Sequence, residues 1–390
     1  MQSSKSIDVK TGGSLNQRKT WTNKLDAPEA CSAQRRLSQG VVSNGFQLLR
    51  CERRSCVRYS DNRRKGAHGV VWRTIVVVSV SFGERHCPPL VHQMELAIRL
   101  FQALAYSAIG FFLSFIEYMT ARRKSVADRV IVITGAAEGI GKEMAARFAV
   151  LKAKVVLLDV NAELNAKAAE EIRKSGGCAY DFAVDVTKPD KMHQIAATIR
   201  DHPDLGCADI VICSAAILIP KLLEDNTDAD IRRTFDVNVL GYFWTIKAFY
   251  PMMLARGSGH IVAVSSVGGH FGTAYSSTYS ASKFAIRGLM ESLEWEIHDQ
   301  GLSDHLKTTT VYPFFTKTNL LKSCTLSSPV LPFLTIEQTA KGIVDAVLYE
   351  KSEAYIPNYC KWFCVELKSI ASMSKYVQHA FRNFFDIRYR

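Results

Sequence analysis

Two residues four positions apart, Tyr279 and Lys283, form the most chemically informative pair in the chain. In "TYSASKF" they are separated by about one helical turn, so on a helix both side chains lie on the same face. A tyrosine with an ordinary pKa of about 10 is a poor base near neutral pH unless its anion is stabilised. An adjacent ammonium favours the phenolate, and the pattern therefore predicts that Lys283 lowers the pKa of Tyr279. A surface pair without a role has the same spacing, so the interpretation depends on the rest of the chain.

A glycine-rich turn stands between the first predicted strand and the first predicted helix. In "VIVITGAAEGIGKEMAARFA" its glycines are Gly135, Gly139 and Gly141, and the helix opens at Ile140. Glycines allow the backbone to approach a pyrophosphate, while the helix N-terminus directs N–H groups and its dipole at the phosphates. The strand–turn–helix context therefore predicts a dinucleotide site.

An acidic residue, Asp159, ends the second predicted strand, 18 residues after Gly141. A carboxylate there accepts hydrogen bonds from the adenosine ribose and repels a 2′-phosphate. The glycine turn contains no Arg or Lys to neutralise such a phosphate, so the sequence favours NAD(H) over NADP(H). A plain strand-end turn residue is the alternative. Asp185 and Val186, after the third strand, are weaker candidates for the adenine edge.

The elements that must position these residues alternate regularly across residues 129–357. Apolar runs of strand length are separated by helical segments at 139–152, 162–175, 227–255 and 276–300. Strands alternating with helices form βαβ units with helices on both faces of the sheet. The predicted fold class is α/β: a Rossmann-type doubly wound parallel sheet in a single catalytic domain, preceded by a hydrophobic anchor helix.

These motifs together resemble the short-chain dehydrogenase/reductase family. The family pattern T-G-x-x-x-G-x-G is matched by residues 134–141, and its Y-x-x-x-K by Tyr279 and Lys283. The catalytic serine of the family lies 13 residues before the tyrosine, where Ser266 stands, and its asparagine lies in an N-V-x-G stretch, at Asn238. More narrowly, the chain is similar to the branch of membrane-bound retinol dehydrogenases and lipid-droplet 17-beta-hydroxysteroid dehydrogenases.

The resemblance implies hydride transfer between NAD(H) and an apolar alcohol or ketone. It implies that Tyr279 removes the substrate hydroxyl proton, that Ser266 holds the substrate oxygen and that Lys283 also binds the ribose. Asn238 is expected to hold a water that links the lysine to solvent. The remaining expected cofactor contacts are Ala215, Pro313, Thr316 and Thr318, of which Thr318 holds the nicotinamide carboxamide.

Two stretches depart from the family pattern beside the expected cofactor. Residues 213–216 are Cys-Ser-Ala-Ala where the family usually has N-N-A-G, and Phe314 follows Pro313 where the family has glycine. The missing glycines bring cofactor affinity into question more than the chemistry. They motivate an alternative function, a catalytically impaired relative that acts as a lipid-surface scaffold. The retention of Ser266 and Tyr279 together with the lysine argues against that alternative.

The net charge of +12 belongs mainly to the first quarter of the chain. Residues 1–93 carry 16 Lys+Arg against 6 Asp+Glu, whereas residues 94–390 carry 33 against 31, so the charge says nothing about the partner of the main body, and we expect no nucleic acid there. We predict that 1–93 is disordered or absent from a mature protein beginning near Met94, with a basic nucleic-acid arm as the competing interpretation. The 10 cysteines have no metal-ligand spacing, so we expect no metal and reduced thiols.

A hydrophobic segment, 100–116, lies within a predicted membrane anchor at 94–118. Its 17 residues as a helix reach about 26 Å, slightly less than a hydrocarbon core of roughly 30 Å, so spanning and lying in one leaflet are both open. The basic residues at 122–124 outnumber Arg99 on the other side, which predicts a catalytic domain that faces the cytosol at the endoplasmic reticulum or lipid droplets.

Two further regions bear on the substrate. Residues 314–334 are rich in Phe, Leu and Pro and are expected to cover an apolar substrate such as a retinoid, a steroid or a long-chain alcohol. The tail, 358–390, is amphipathic and basic, which fits a membrane surface and packing over the pocket equally. The expected partners are an apolar alcohol or ketone and a membrane or lipid-droplet surface, with a homodimer left open.

Overall fold

The structure, a computed structural model, divides the chain into two units, Met1–Leu104 and Ala105–Arg390. It describes residues 97–98, 101–102, 105, 109–110, 112, 122–321, 324–326, 332–362 and 387–389. The predicted extension at 1–93, most of the predicted anchor and most of the tail lie outside the described residues. Within the described part of the chain, no helix combines the length and apolarity needed to cross a membrane.

A seven-stranded parallel sheet is the centre of the second unit. Its strands are β1 (Val130–Thr134), β2 (Lys154–Asp159), β3 (Cys178–Ala183), β4 (Ile210–Cys213), β5 (Gly259–Val264), β6 (Leu306–Pro313) and β8 (Glu353–Ile356). Their order across the sheet is β3-β2-β1-β4-β5-β6-β8. The order reverses between β1 and β4, as a doubly wound sheet requires. A separate antiparallel pair joins β7 (Cys324–Leu326) to β9 (Ile387–Tyr389).

Helices cover both faces of this sheet, so the predicted α/β architecture is confirmed. Two carry capping boxes, at Thr227 and at Thr335, which satisfy N–H groups of their first turns. The predicted helix at 227–255 is instead two helices joined by a π-helical turn, Asp236–Leu240. The α-helices are α1 (Gly139–Val150), α2 (Ala162–Lys174), α3 (Pro189–Asp201), α4 (Asp228–Phe235), α5 (Gly241–Arg256), α6 (Ser277–Asp299) and α7 (Ile336–Leu348).

The hydrophobic core lies in two layers, one on each face of the sheet. Strand β1 contributes to both, because its side chains alternate: Ile131 and Ile133 pack on one side, Val130 and Val132 on the other. Helices α1, α2 and α7 cover the first layer, and α3, α5 and α6 cover the second. Burial on both faces explains why the strands read as continuous apolar runs.

A crevice opens between β1 and β4, where the strand order reverses. The turn after β1 and the turn after β4 diverge there, since their helices lie on opposite faces. Thr134, the last residue of β1, holds the two turns together: its Oγ1 accepts hydrogen bonds from the backbone N–H of Ser214 (3.0 Å) and Ala215 (3.3 Å). This fixes the floor of the crevice.

Candidate active site

A cleft of about 1200 Å³ opens at the carboxyl ends of the parallel strands. Asn238 is the one predicted site residue that does not line it. The residues that do are Gly135, Gly139, Ile140, Gly141, Asp159, Asp185, Val186, Ala215, Ser266, Tyr279, Lys283, Pro313, Thr316 and Thr318. The fold therefore brings residues from the whole domain to one surface, as Rossmann-type sheets do.

The glycine turn at one end of the cleft requires glycine for two different reasons. Gly135 and Gly139 have φ of +68° and +59°, in the left-handed region. A Cβ on Gly135 would lie 2.7 Å from the Cα of Ala215, and a Cβ on Gly141 would collide with the carbonyl oxygen of Gly135. The N-cap of α1, Glu138, makes no side-chain cap, so the first-turn N–H groups remain available. The turn thus fits the phosphates of a dinucleotide.

Asp159 is fixed at the end of β2 by two backbone hydrogen bonds. Its Oδ2 accepts from Ala137 N at 3.1 Å and its Oδ1 from Asn161 N at 2.9 Å. Each carboxylate oxygen has a second lone pair, so the group retains capacity for ribose hydroxyls. Asp185 similarly accepts from Thr187 N at 2.9 Å, beside the nearly buried Val186.

The predicted catalytic serine and tyrosine meet at the other end of the cleft. Ser266 follows β5 at the start of a short 3-10 helix, and its Oγ accepts a hydrogen bond from Gly268 N at 3.1 Å. A Cβ built on Gly268 would lie 3.4 Å from that Oγ and 3.6 Å from Cε1 of Tyr279, so both side chains border this glycine. Burial raises the pKa of Tyr279 to about 12, and a hydrogen bond with Ser266 opposes the rise.

Lys283 lies one turn along α6 and is almost fully buried, with 1% of its surface exposed. Its Nζ donates to the carbonyl oxygen of Val264 at 2.9 Å and lies 5.6 Å from the ring centroid of Tyr279. Burial lowers the pKa of Lys283 to about 7. In the protein alone, the pKa of Tyr279 is therefore raised, opposite to the direction predicted from the spacing, because burial of the phenol dominates.

Asn238 lies in the π-helical turn between α4 and α5 and does not line the cleft. Its Oδ1 accepts from Ile217 N at 2.8 Å, and its Nδ2 donates to Ile217 O at 2.9 Å and to Ser282 Oγ at 3.1 Å. The side chain thus ties the loop after β4 to α6. Its role toward a water stays a prediction.

The two missing glycines do not strain the backbone. Ala216 and Phe314 both lie outside the left-handed region that favours glycine. Both residues line the cleft, and Phe314 is 3% exposed and packs in the core layer that includes Phe271. The departures therefore introduce no backbone strain, and their effect on cofactor affinity stays a prediction. Thr134 links the turns after β1 and β4 through its hydrogen bonds to Ser214 N and Ala215 N, within the stretch where the family usually has asparagine.

The region after β6 folds back toward the glycine turn. Thr316 is buried and its Oγ1 donates to Phe314 O at 3.0 Å, while Thr318 N donates to Thr316 O at 2.7 Å. The Thr318 methyl group would lie 3.8 Å from a Cβ on Gly139. Residues 316–318 therefore face the glycine turn across the cleft.

Sequence reasoning missed two contacts at the site. Tyr242, on α5, is buried beside Lys283. Asn319 Nδ2 donates to Glu138 Oε2 at 2.5 Å, which joins the region after β6 to the glycine turn. In both pairs the partners are far apart in the sequence, and no local pattern around one residue indicates the other. An apolar wall also lines the cleft, formed by Leu218, Phe271, Phe315, Leu320 and Leu321. The last three belong to the segment 314–334, which is expected to cover an apolar substrate.

In the described part of the chain, no group of three or more His, Cys, Asp or Glu side chains is placed to hold a metal ion. The cleft combines the apolar wall with the hydroxyl of Ser266, the phenol of Tyr279, the amine of Lys283 and the carboxylates of Asp159 and Asp185.

The chain belongs to the short chain dehydrogenase family, which residues 129–327 match. The predicted family and enzyme class are thereby confirmed. Among its relatives are rat 17-beta-hydroxysteroid dehydrogenase 13, 33% identical over 68% of this chain and 87% of that protein, and mouse epidermal retinol dehydrogenase 2, 36% identical over 64% and 80%. The fold is similar to that of a short chain dehydrogenase/reductase from Burkholderia phymatum solved in complex with NAD, with a TM-score of 0.58 and 22% identity over 64% of this chain and 96% of that one.

Proposed function

We propose that this protein is a membrane-anchored oxidoreductase that transfers a hydride between NAD(H) and an apolar alcohol or its carbonyl counterpart. The carrying observation is the arrangement of one cleft: the glycine turn and Asp159 at one end, and Ser266, Tyr279 and Lys283 at the other. The first end would hold the phosphates and adenosine ribose of a dinucleotide, and the second end the groups that would act beside its nicotinamide.

The glycine turn and the N-terminus of α1 would hold the pyrophosphate, and Asp159 the adenosine ribose. The ribose contact at Asp159 favours NAD over NADP, since a carboxylate repels a 2′-phosphate. When bound, the nicotinamide supplies the position that accepts hydride from the alcohol carbon or returns it to the carbonyl carbon. Lys283 and Thr318 are the proposed contacts on that side.

Tyr279 takes the hydroxyl proton during oxidation and returns it during reduction. Ser266, which borders the same glycine as the phenol, holds the substrate oxygen near that proton. Because burial holds the pKa of Tyr279 at about 12 in the protein alone, oxidation needs positive charge at the site to stabilise the phenolate. The ammonium of Lys283 is the protein's contribution to that charge.

The substrate proposed is a retinoid, a steroid or a long-chain alcohol. This proposal is supported by the apolar wall, against which an apolar molecule can pack without burying unpaired polar groups. Relatives named as retinol and 17-beta-hydroxysteroid dehydrogenases favour the same class.

The membrane attachment proposed rests on the apolar segment 100–116 and the basic residues that follow it. We place the protein at the endoplasmic reticulum or lipid droplets with its cleft in the cytosol, since basic residues flank the domain side of that segment. Attachment would bring the cleft close to substrates that partition into lipid.

The deciding experiment measures NAD-dependent oxidation of retinol, a steroid alcohol and a long-chain alcohol by the purified full chain. We expect turnover of at least one, and a loss of about 10²–10⁴-fold or more in Tyr279→Phe with NAD binding nearly unchanged. The exposed Tyr349→Phe is the control and retains full turnover. Equal turnover by wild type and Tyr279→Phe would exclude the tyrosine as base.

A wild type that oxidises none of these alcohols, but gains activity on Ala216→Gly, would instead favour the scaffold alternative.

A further inference from the structure

Tyr242, the second residue of α5, lies directly beside Lys283 inside the protein. Only 1% of its surface is exposed, and its hydroxyl donates to the carbonyl oxygen of Val264 at 2.8 Å. Buried tyrosines usually find a hydrogen-bond partner for the hydroxyl, so this bond to the last residue of β5 does not by itself indicate a role. The informative feature is that the same carbonyl also accepts a hydrogen bond from Lys283 Nζ, at 2.9 Å.

The two side chains therefore converge on one oxygen atom. Lys283 Nζ lies 3.5 Å from the hydroxyl oxygen of Tyr242 and 5.3 Å from the centroid of its ring. Since the Tyr242 proton points to Val264, the hydroxyl oxygen is free to accept from the ammonium. A cation within about 6 Å of an aromatic centroid is also attracted by the ring, and more strongly when it is desolvated.

Such compensation is needed, because a buried ammonium is costly unless it is partnered. The titratable groups that face Lys283 are Cys213 from β4, Tyr242 from α5 and Tyr279 from its own helix. Burial raises the pKa of Cys213 to about 12, so that thiol is neutral near pH 7 and supplies no opposing charge. Tyr242 and the Val264 carbonyl are the neutral partners that remain.

We propose that Tyr242 is a positioning residue: by sharing the Val264 carbonyl with Lys283 and offering its oxygen and ring to the ammonium, it keeps the lysine charged and beside Tyr279. The inference rests on the proposed function for its consequence in turnover, since a neutral or displaced lysine no longer favours the phenolate. Its physical content, the charge state of Lys283, is measurable without turnover.

The test compares Tyr242→Leu and Tyr242→Phe with Tyr250→Phe as the matched control. Tyr250 is also on α5, and its buried hydroxyl has no hydrogen-bond partner among the described residues, so that change leaves Lys283 untouched. The charge on Lys283 is followed by NMR titration of lysines labelled with ¹³C at Cε in the full chain, with the signal assigned by Lys283→Met.

In Tyr242→Leu, which loses both ring and hydroxyl, we expect the titration midpoint of Lys283 to fall by about one pH unit. In Tyr242→Phe, which keeps the ring, the Lys283 midpoint should fall less, and in Tyr250→Phe it should match that of wild type. The rate of alcohol oxidation at saturating NAD should fall most in Tyr242→Leu, less in Tyr242→Phe and not at all in Tyr250→Phe. If Tyr242→Leu prevents folding, as judged by circular dichroism, the smaller shift in Tyr242→Phe carries the test.

A Lys283 midpoint that is the same in both Tyr242 variants and wild type overturns the inference, because Tyr242 then only fills space. If wild type oxidises no alcohol, the proposed function fails, while the lysine titration still decides the role of Tyr242.

Discussion

Tyr279 and Lys283 occupy neighbouring turns of α6, and burial disfavours the charged form of both. It raises the pKa of the phenol to about 12 and lowers the pKa of the ammonium to about 7. Two groups whose useful forms are a phenolate and an ammonium are therefore both pushed, in the protein alone, toward their neutral forms. The proposed chemistry consequently depends on charge that arrives with the cofactor.

This burial predicts opposite pH dependences for the two directions of the reaction. Oxidation needs the phenolate of Tyr279 and the ammonium of Lys283, so its rate should rise with pH, by up to about tenfold per unit, and level off above the lysine's pKa of about 7, where that charge is lost. Reduction needs the phenol and a charged Lys283, so its rate should fall above the lysine's pKa of about 7. Initial rates at saturating cofactor from about pH 6 to 9 measure both. An oxidation rate that falls from pH 6 to pH 8 contradicts the assignment of Tyr279 as base.

Asp159 sets the proposed preference for NAD, and Asp159→Ala tests it. Removal of the carboxylate should raise the Michaelis constant for NAD, with a smaller effect on the turnover number, and reduce discrimination against NADP. The control is Asp201→Ala, since that exposed carboxylate pairs with Arg200 away from the cleft. An unchanged ratio of NAD to NADP efficiency would mean that Asp159 is a turn residue only.

At the scale of the element, the junction between β1 and α1 is the most constrained part of the site. Gly141 packs the first turn of α1 against the carbonyl of Gly135, and Gly135 in turn packs against Ala215. A methyl group at either glycine would collide with backbone atoms, and these cannot move aside as the end of a flexible side chain can.

We therefore expect Gly141→Ala to weaken NAD binding by at least about tenfold and to lower the thermal midpoint, because the added methyl group displaces the turn that holds the phosphates. Gly288→Ala is the matched control: Gly288 is a helical glycine of α6 with nothing within 4 Å of an added Cβ, so alanine there should stabilise by up to about 1 kcal/mol. Calorimetric titration with NAD and thermal unfolding of both variants provide the comparison. Equal NAD affinity in the two variants would show that the turn does not hold the dinucleotide.

At the scale of the whole molecule, the segment after the predicted anchor is fixed to the catalytic domain. Lys124 Nζ lies 3.0 Å from Glu350 Oε1 and 2.8 Å from Nδ1 of the buried His260, and Arg123 pairs with Asp345 at 3.5 Å. Burial lowers the pKa of His260 well below its ordinary value, so the imidazole is neutral and accepts from the lysine. The basic residues counted in predicting membrane orientation thus also hold the chain where it enters the domain.

Deletion of residues 94–118 should release the protein from membranes, since that segment is the proposed anchor. The comparison is a deletion of residues 1–93, which should leave the protein in the membrane pellet. Fractionation of cells that express each form measures the distribution. If the protein without 94–118 still pellets with membranes, the tail at 358–390 is the anchor instead.

The alternation of elements, the glycine turn, Asp159 and the Tyr279–Lys283 pair were all predictable from sequence. Each depends on contacts within a turn, a strand or a helix, where spacing along the chain dictates spacing in space. The order T-G-x-x-x-G-x-G, acidic strand end, Ser266 and Y-x-x-x-K then identified the family, which residues 129–327 confirm. Local periodicity and backbone requirements are properties of the sequence itself.

Other features needed the tertiary structure because their partners are distant along the chain. The π-helical turn that carries Asn238 reads as uninterrupted helix, and the bond between Glu138 and Asn319 spans 181 positions. The convergence of Tyr242 and Lys283 on Val264 has no local pattern. The direction of the Tyr279 pKa shift also escaped the sequence, because desolvation depends on what the whole fold packs around the phenol, and charge spacing along one helix does not contain that information.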